Sequence, residues 1–523
     1  MFLPHPAQNP QLSQPGDSSP LLAPESEVSP APLASQARFM VRRFRFSGHT
    51  VFSEQELQEV AKPYQNREIT SPELQQLRRA LSLYYVERGY LTSGALIPDQ
   101  VAKNGIIHIQ LVEGRLAEIR FQGLQGLDRE QLEKRLQPFT TPPIQLNRLQ
   151  EGLLLLRQSP LVERINAELV PGEKAGEGVL LVKIEERSPL RLRYEVANNR
   201  PAAVGEFHQG VLLAHDNVFG RGESIELALG KSQGAENWGI HYRQPLTADD
   251  LMVDFTLEGI DAEVVEEPFS ALNITGRSAG WTAGLSLPIW RDSRQSVSMG
   301  MDFRHRESRT TLLGEPFSLS PGAVDGKSVG STVNLFQEWL YRTVDQVVFQ
   351  RLNLQQGVDW LGATSHDNQP DSRFQALQLQ AQLAQQLPVE SLQLQVRFNG
   401  QWSEDRLLTM HKFALGGLES IRGIRENHGV VDSGWLLSSE LRWSLGKGEI
   451  SLGPFIDYGG GGDHDNKGAI SHASTGLALH LLNHHHVQGS LYWGVPIQNS
   501  PQRPMERGWQ DRGIHFRLAV GWF

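Results

Sequence analysis

One stretch in the second half of the chain decides the predicted fold: Gly416-Gly417-Leu418-Glu419-Ser420-Ile421-Arg422-Gly423. It places an arginine among small residues, between segments in which polar and apolar residues alternate. A later stretch, Phe455-Ile456-Asp457-Tyr458-Gly459, places an aspartate on another alternating segment. An arginine in this setting is typical of a cation on a loop tip that folds back into a barrel, and glycine permits the tight backbone path that such a loop needs. Asp457 lies on a later segment that such a loop can reach.

Alternating segments fill the chain around these two stretches, from Pro189 to Phe523. Leu190 to Ala197, Ser224 to Leu229 and Ser391 to Arg397 alternate strictly. Such alternation is typical of strands with one polar and one apolar face, and in a membrane barrel the apolar face meets lipid. At about 21 residues per strand and connection, this region predicts about 16 antiparallel strands of a transmembrane β-barrel. A soluble β-sandwich also alternates, but it rarely continues for so many strands.

The end of the chain fits a last barrel strand. Phe516, Leu518, Val520 and Trp522 fall on one face, and Phe523 is the final residue. A terminal strand that finishes in aromatic residues resembles the assembly signal of outer-membrane barrels. We therefore expect Trp522 and Phe523 to be read by the barrel-assembly machinery during biogenesis.

An internal repeat organises the region before the barrel. Each of its two units has the predicted order β-α-α-β-β over roughly 75 residues, and each opens on a strand that ends at a glycine, Gly48 or Gly123. The first unit is predicted to contain a strand at 40–46, a helix start at Ser53 with Glu56, a helix at 70–88, and strands at 91–97 and 106–112. The second is predicted to contain a strand at 117–121, helices at 128–136 and 146–157, and strands at 162–170 and 178–185.

Composition narrows the class of protein. The 523 residues are enough for two or three domains, and residues 1–38 carry eight prolines, which predicts a disordered or extended tail. The chain has no cysteine, so disulfides and thiolate chemistry are excluded, and its net charge of −10 argues against nucleic acid as a partner. No apolar run of about 18 residues is present, as a transmembrane helix would require. The first residues lack the basic and apolar segments of a signal peptide, so we expect the numbering to begin at a mature terminus.

Together these features resemble the two-partner secretion transporters of the bacterial outer membrane, the TpsB family. That family has an (V/I)RG(Y/F) loop motif and an FxDxG strand motif; here Ile424 stands in place of the usual aromatic residue. The resemblance implies two periplasmic POTRA domains, 39–115 and 116–188, after the tail at 1–38 and before a barrel at 189–523. It also implies a lock between a lumen loop and a barrel strand, formed by Arg422, Asp457, Gly423, Gly417, Ile421, Phe455 and Gly459.

The resemblance further implies a function. The expected activity is secretion of a single dedicated, large and unfolded exoprotein, such as an adhesin, a haemolysin or a contact-dependent toxin, with outer-membrane lipid around the barrel. An enzymatic activity, a cofactor and a metal are not expected. A barrel-assembly insertase of the same superfamily is the alternative, although such proteins usually carry three or more POTRA domains. A passive porin is a third hypothesis, but porins lack the repeat.

Weaker candidates remain alongside the lock. The alternative to a lock is that Arg422 is an ordinary arginine on a solvated turn and Asp457 an ordinary aspartate at a strand end. If the two do pair, the pair either acts as a moving gate or only stabilises the structure. His484-His485-His486 cannot converge on one ion if they lie on a strand, because neighbouring side chains point to opposite faces. Asp457, Asp463 and Asp465 lack the bidentate glutamate of a calcium loop. The tail could also contribute a plug helix, although its prolines disfavour one.

Overall fold

The computed structural model describes residues 38–367, 370–446, 448–464, 469–484, 486–497 and 508–522. The predicted tail therefore lies outside the described residues except for Arg38, and so do Asp465, His485 and Phe523. The described residues form two compact units, one up to Arg187 and one from Ser188 onwards. Within the described residues, no helix is both long and apolar enough to cross a membrane.

The first unit is an α+β structure. Its helices are α1 (Glu54–Ala61), α2 (Ser71–Val86), α3 (Arg129–Leu136) and α4 (Leu146–Arg157). Its strands are β1 (Phe39–Val41), β2 (Arg43–Ser47), β3 (Arg67–Ile69), β4 (Gly94–Leu96), β5 (Ile106–Val112), β6 (Arg115–Gln122), β7 (Val162–Pro171) and β8 (Glu177–Glu186).

These elements form two domains of the same topology. One three-stranded sheet has the order β2-β5-β4 and the other the order β6-β8-β7, and in each the first strand runs parallel to the central one. The predicted repeat is thus confirmed at the level of fold. Its two opening strands end at equivalent glycines, Gly48 (φ +78°) and Gly123 (φ +84°). A side chain at either glycine would strike a backbone oxygen of the central strand, that of Leu111 or of Ile184.

The single strand predicted at 40–46 is wrong in one respect, because the structure divides it into β1 and β2. β1 pairs antiparallel with β3, a strand that the sequence did not reveal, whereas β2 pairs parallel with β5. When a segment changes its partner strand, its regular row of inter-strand hydrogen bonds is interrupted. The interruption falls at Arg42, whose amide donates to the Gly105 carbonyl at 2.7 Å.

The two domains are joined by only Glu113 and Gly114, between β5 and β6. The Gly114 amide donates to Ser93 Oγ at 2.8 Å, and the Gly114 carbonyl accepts from the Ile144 amide at 3.0 Å. The Glu113 carboxylate accepts from the amides of Thr50 and Val51 at 2.6 and 2.9 Å. Burial works to raise the pKa of Glu113, but these hydrogen bonds outweigh it and leave that pKa lowered. The joint is therefore held by both domains.

The second unit is a closed barrel. Its strands are β9 (Leu190–Ala197), β10 (His208–His215), β11 (Ser224–Lys231), β12 (Ala235–Pro245), β13 (Met252–Glu263), β14 (Thr275–Arg291), β15 (Gln295–Leu312), β16 (Glu315–Pro316), β17 (Lys327–Arg342), β18 (Gln346–Val358), β19 (Gln375–Gln386), β20 (Leu392–Ser403), β21 (Phe413–Leu415), β22 (Gly429–Val431), β23 (Ser433–Leu445), β24 (Ile450–Gly462), β25 (Ile470–His484), β26 (Val487–Pro496) and β27 (Ile514–Trp522).

Sixteen long antiparallel strands close the barrel within the described residues, which confirms the predicted fold class. They are β9 to β15, β17 to β20 and β23 to β27, and β27 pairs with β9 to complete the ring. The two-residue β16 only extends the connection from β15 to β17. Along each strand, apolar side chains such as Leu227 and Leu229 are exposed on the outer face, as lipid contact requires.

Between β20 and β23 the chain forms the antiparallel hairpin of β21 and β22. We call residues 416–428, which connect these two strands, the inner loop. Leu415, Ile421 and Ile424 are fully or almost fully buried together with Leu436 of the barrel strand β23. The inner loop therefore packs against the inside of the barrel wall through an apolar cluster.

Candidate functional site

Arg422 lies at the centre of the inner loop and is fixed against the barrel wall. Its Nε and Nη2 donate to the two carboxylate oxygens of Asp457 on β24, each at 2.8 Å. Its backbone amide also donates to Asp457 Oδ2 at 2.9 Å. Asp457 is completely buried, and Arg422 is only 4% exposed. The arginine fork thus meets the carboxylate through two nitrogens, which a lysine cannot do.

A second carboxylate, which the sequence did not single out, shares this arginine. Arg422 Nη1 contacts Glu440 Oε2 on β23, and Nη2 donates to Ser438 Oγ at 3.1 Å. Glu440 Oε1 accepts from Arg442 Nε at 2.6 Å and lies 2.6 Å from His480 Nε2. The site is therefore a buried network of charges rather than a single ion pair. Alternation along β23 puts Ser438, Glu440 and Arg442 on one face, and this was the available signal.

Two aromatic rings complete the surroundings of the guanidinium. Its central carbon lies 3.8 Å from the centroid of the Phe455 ring and 4.9 Å from that of Tyr492. A cation over an aromatic face gains about 0.5–2 kcal/mol, more when it is desolvated. Phe455 belongs to the predicted motif, whereas Tyr492, on β26, was missed because cross-strand register cannot be read from the sequence.

Glycines permit this close approach. Gly423 has a φ of +88°, and a Cβ there would come within 2.7 Å of the Gly494 carbonyl carbon on β26. Gly417 has a φ of +107° and lies against the carboxylate of Glu426. A Cβ at Gly459 would come within 2.6 Å of the Trp435 carbonyl oxygen and 3.2 Å of Ile421 Cδ1. The loop thus touches β26 through backbone at Gly423, and Gly459 leaves room on β24 for the Ile421 side chain.

The position where the sequence departs from the family motif is apolar and enclosed. Ile424 is 2% exposed and belongs to the same cluster as Ile421. An aliphatic residue therefore fills the site where the family usually has an aromatic ring.

Charged residues on either side of Arg422 tie the inner loop to other parts of the barrel. Glu419 pairs with Arg397 on β20 at 3.2 Å and with Arg517 on β27 at 2.7 Å. Arg425 Nη2 donates to Asp511, just before β27, at 2.8 Å, and its Nη1 donates to Glu266, after β13, at 2.8 Å. The inner loop is thus attached to widely separated strands of the barrel.

The remaining predicted residues lie away from this network. Trp522 is half exposed on the outer face of β27, and Phe523 lies outside the described residues. Asp463 is paired with Lys412 at 2.7 Å. Within the described part of the chain, no group of three acidic or histidine side chains is arranged to hold a metal ion.

A sixteen-stranded barrel with an apolar outer face, a loop anchored inside it and tandem small α+β domains defines the class of outer-membrane transporters. The chain belongs to the haemolysin secretion/activation protein family ShlB/FhaC/HecB, whose family model matches residues 176–481. The ShlB-type POTRA domain model matches residues 39–114. It is thus a protein of the bacterial outer membrane whose POTRA domains lie in the periplasm.

Known relatives and solved structures support this assignment. The chain is 24% identical over 497 residues to the outer membrane transporter CdiB of Escherichia coli O6:K15:H31, covering 90% of this chain and 82% of the relative. It is 25% identical over 463 residues to the heme/hemopexin transporter protein HuxB of Haemophilus influenzae, covering 85% and 81%. The structure of CdiB from Escherichia coli has the same fold, with a TM-score of 0.67 and 21% identity over 95% of this chain and 93% of that one.

Proposed function

We propose that the chain secretes a single dedicated, large and unfolded exoprotein across the outer membrane, and that it has no catalytic activity. An adhesin, a haemolysin or a contact-dependent toxin is the expected kind of partner. The observation that carries the proposal is the inner loop, which Arg422 fixes inside a barrel of the secretion family. In this proposal the domains are the tail at 1–38, the POTRA domains at 39–115 and 116–188, and the barrel at 189–523.

The first step would be capture in the periplasm. In each POTRA sheet the central strand is hydrogen bonded to a neighbour on either side, and the outer strands have one free edge. These edge strands are β2, β4, β6 and β7. An extended peptide can add to such an edge through backbone hydrogen bonds. This mode of capture suits an unfolded partner because it does not depend on the partner's side chains.

The second step would be passage through the barrel. A sixteen-stranded barrel is wide enough for an aqueous channel but too narrow for a folded domain, so the partner must pass in extended form. The inner loop occupies part of the lumen and would have to shift. At an effective dielectric constant of 20, opposite charges about 4 Å apart attract by about 4 kcal/mol before desolvation is counted. Arg422 has two carboxylate partners, so a shift of the loop in this proposal requires both pairs to separate.

The barrel-assembly insertase is less well supported. The chain is only 13% identical to BamA from Haemophilus ducreyi, with a TM-score of 0.55, a likeness that concerns the fold alone. The relatives are instead named as transporters, two of them of heme/hemopexin and of haemolysin. We propose that the assembly machinery acts on this chain, through its last strand, and not that the chain replaces it.

The test is replacement of Arg422 by alanine, with secretion of a large exoprotein, sought first among the products of the neighbouring genes, as the readout. We expect secretion to be lost while the amount of barrel in the outer membrane stays normal. Arg277→Ala is the matched control, because the Arg277 side chain is 76% exposed. Unchanged secretion by the Arg422 variant would contradict the lock, and a missing barrel would make the pair a folding element. If the wild-type chain does not export the exoprotein, the proposed function itself is refuted.

A further inference from the structure

Beside the anchored loop, part of the inner wall is lined by uncharged amides. β19 contains six glutamines and no charged residue. Its leucines lie at odd-numbered positions, where Leu377 is exposed on the outer face. The even-numbered positions therefore face the lumen, and among them Ala376 and Ala384 are buried. We call the following six lumen-facing residues of β18, β19 and β20 the amide wall: Asn353, Gln378, Gln380, Gln382, Asn399 and Gln401.

Strand register brings these amides together. Gln378 lies directly between Asn353 and Gln401, and Gln380 lies beside Asn399. Asn353 Nδ2 donates to Gln378 Oε1 at 2.9 Å, and Gln378 Nε2 donates to Gln401 Oε1 at 2.8 Å. The lumen-facing glutamines of the amide wall on β19 run from Gln378 to Gln382, a length of about 13 Å at about 3.3 Å per residue.

The amide wall keeps hydrogen-bonding capacity in reserve. Within the described residues, the side chains of Gln380 and Gln382 have no hydrogen-bond partner. Both are partly exposed. Asn353 Oδ1 and the neighbouring Gln355 Oε1 are buried acceptors without a donor. The amides of Gln380 and Gln382 are partly exposed to the lumen, so their hydrogen-bonding groups are the ones that another polar chain can reach.

Two arginines stand in register with the amide wall, Arg351 opposite Gln380 and Arg397 opposite Gln382, and each is paired with a carboxylate. Arg351 donates to Glu338 at 2.6 Å, and its guanidinium lies 4.0 Å from the centroid of the Phe336 ring. Arg397 donates to Glu419 of the inner loop at 3.2 Å. A chain that moves along the wall would therefore meet donors and acceptors rather than free charges.

We propose that the amide wall is the track along which the exported polypeptide slides in extended form. This inference rests on the proposed function and adds the path and the chemistry of contact. Side-chain amides carry the same donor and acceptor as peptide groups, so they can pair with any extended backbone, whatever its sequence. Each such bond exchanges with water at little net gain, whereas a buried charge would hold or repel the chain through its desolvation cost. A track must bind weakly everywhere, and amides satisfy that requirement.

The first test removes the amides and adds no charge beside Arg351 and Arg397. The double variant Gln380→Leu with Gln382→Leu replaces both amides by apolar side chains, and we expect export of the epitope-tagged exoprotein to fall about tenfold. The matched control, Gln380→Asn with Gln382→Asn, keeps the amides and should export close to the wild-type level. Neither variant removes a hydrogen bond, so barrel abundance and heat-shifted gel mobility should stay unchanged. Wild-type export by the leucine variant would overturn the proposal.

The second test does not depend on how the variants fold. A photo-crosslinking amino acid is placed at Gln382, and in a separate strain at Arg304 on the inner face of β15, while a folded domain fused to the exoprotein stalls export. We expect strong adducts from position 382 and weak ones from 304. Equal adducts, or stronger ones at 304, would overturn the track. If the wild-type chain leaves the exoprotein in the periplasm, it is the proposed function that fails, not the track alone.

Discussion

The inner wall of this barrel is built in two contrasting ways. On β23 and β24, Glu440 and Asp457 are buried and bind Arg422 through short, charge-assisted hydrogen bonds. On β19, Gln380 and Gln382 are uncharged and, within the described residues, have no hydrogen-bond partner, and the arginines opposite them are paired with carboxylates. The first arrangement fixes one particular segment, the inner loop. In our proposal the second touches any extended segment and holds none. The comparison then teaches that a buried, directly paired charge anchors a chain, whereas an amide lets it pass.

The largest effect is expected from Asp457→Asn, which removes the charge opposite Arg422 and keeps the shape. Because it leaves a buried arginine with one carboxylate fewer, we expect the free energy of unfolding to fall by about 3–5 kcal/mol. A urea titration of the purified barrel measures it. Asp261→Asn is the control, since Asp261 forms an ion pair with Arg277 that is mostly exposed and such pairs contribute about 0–1 kcal/mol. If both variants lose the same free energy of unfolding, the buried pair of Arg422 and Asp457 contributes no more than the exposed pair of Arg277 and Asp261.

Glu440→Gln should cost less, about 1.5–3 kcal/mol, the range for a hydrogen bond to a charged group. Arg422 keeps Asp457 in this variant, whereas Arg442 and His480 lose their shared carboxylate. The shift in the temperature at which gel mobility changes is the measurement. A loss as small as that of Asp261→Asn would show that Glu440 plays no part in the anchor.

Gly423→Ala tests the close backbone contact rather than the charge. A positive φ and a Cβ within 2.7 Å of Gly494 should together cost about 1–3 kcal/mol and lift the loop, raising ion conductance in a planar bilayer. Gly314→Ala is the matched control, because Gly314 also has a positive φ (+84°) but no atom within 4 Å of the added Cβ. Conductance that rises equally in both variants would contradict the contact.

The smallest effect is expected on the amide wall. Gln382→Asn shortens a side chain without a hydrogen-bond partner in the described residues, so the free energy of unfolding should change by no more than about 0.5 kcal/mol. The same urea titration measures it. A loss comparable to that of Asp457→Asn would mean that the amides brace the barrel as firmly as the anchor does.

The sequence predicts the strands and helices of this molecule better than it predicts which residues on different strands meet. Alternation and the internal repeat were sufficient for the barrel and the two α+β domains, because both are local patterns. The two motifs pointed to Arg422 and Asp457, which the structure brings within 2.8 Å; their role as a lock stays a prediction. Glu440 and Tyr492 were missed because their places depend on the register between strands.

Longer-range contacts were beyond reach for the same physical reason. Arg425 meets Glu266, which lies 159 positions earlier in the chain, and no local pattern marks such a pair. The division of the first strand at Arg42 depends on two different partner strands, and one of them, β3, has only three residues. Short strands carry too few alternations to be recognised.

The two-residue joint of the POTRA domains has a mechanical consequence. Because Gly114 is hydrogen bonded through both its amide and its carbonyl, the backbone there cannot swivel without breaking contacts in both domains. Tension on a polypeptide held by one domain is then transmitted to the other through a stiff coupling. The distance between the edge strands of one domain and those of the other is therefore held constant. A partner that engages both must present its two strands at one matching distance.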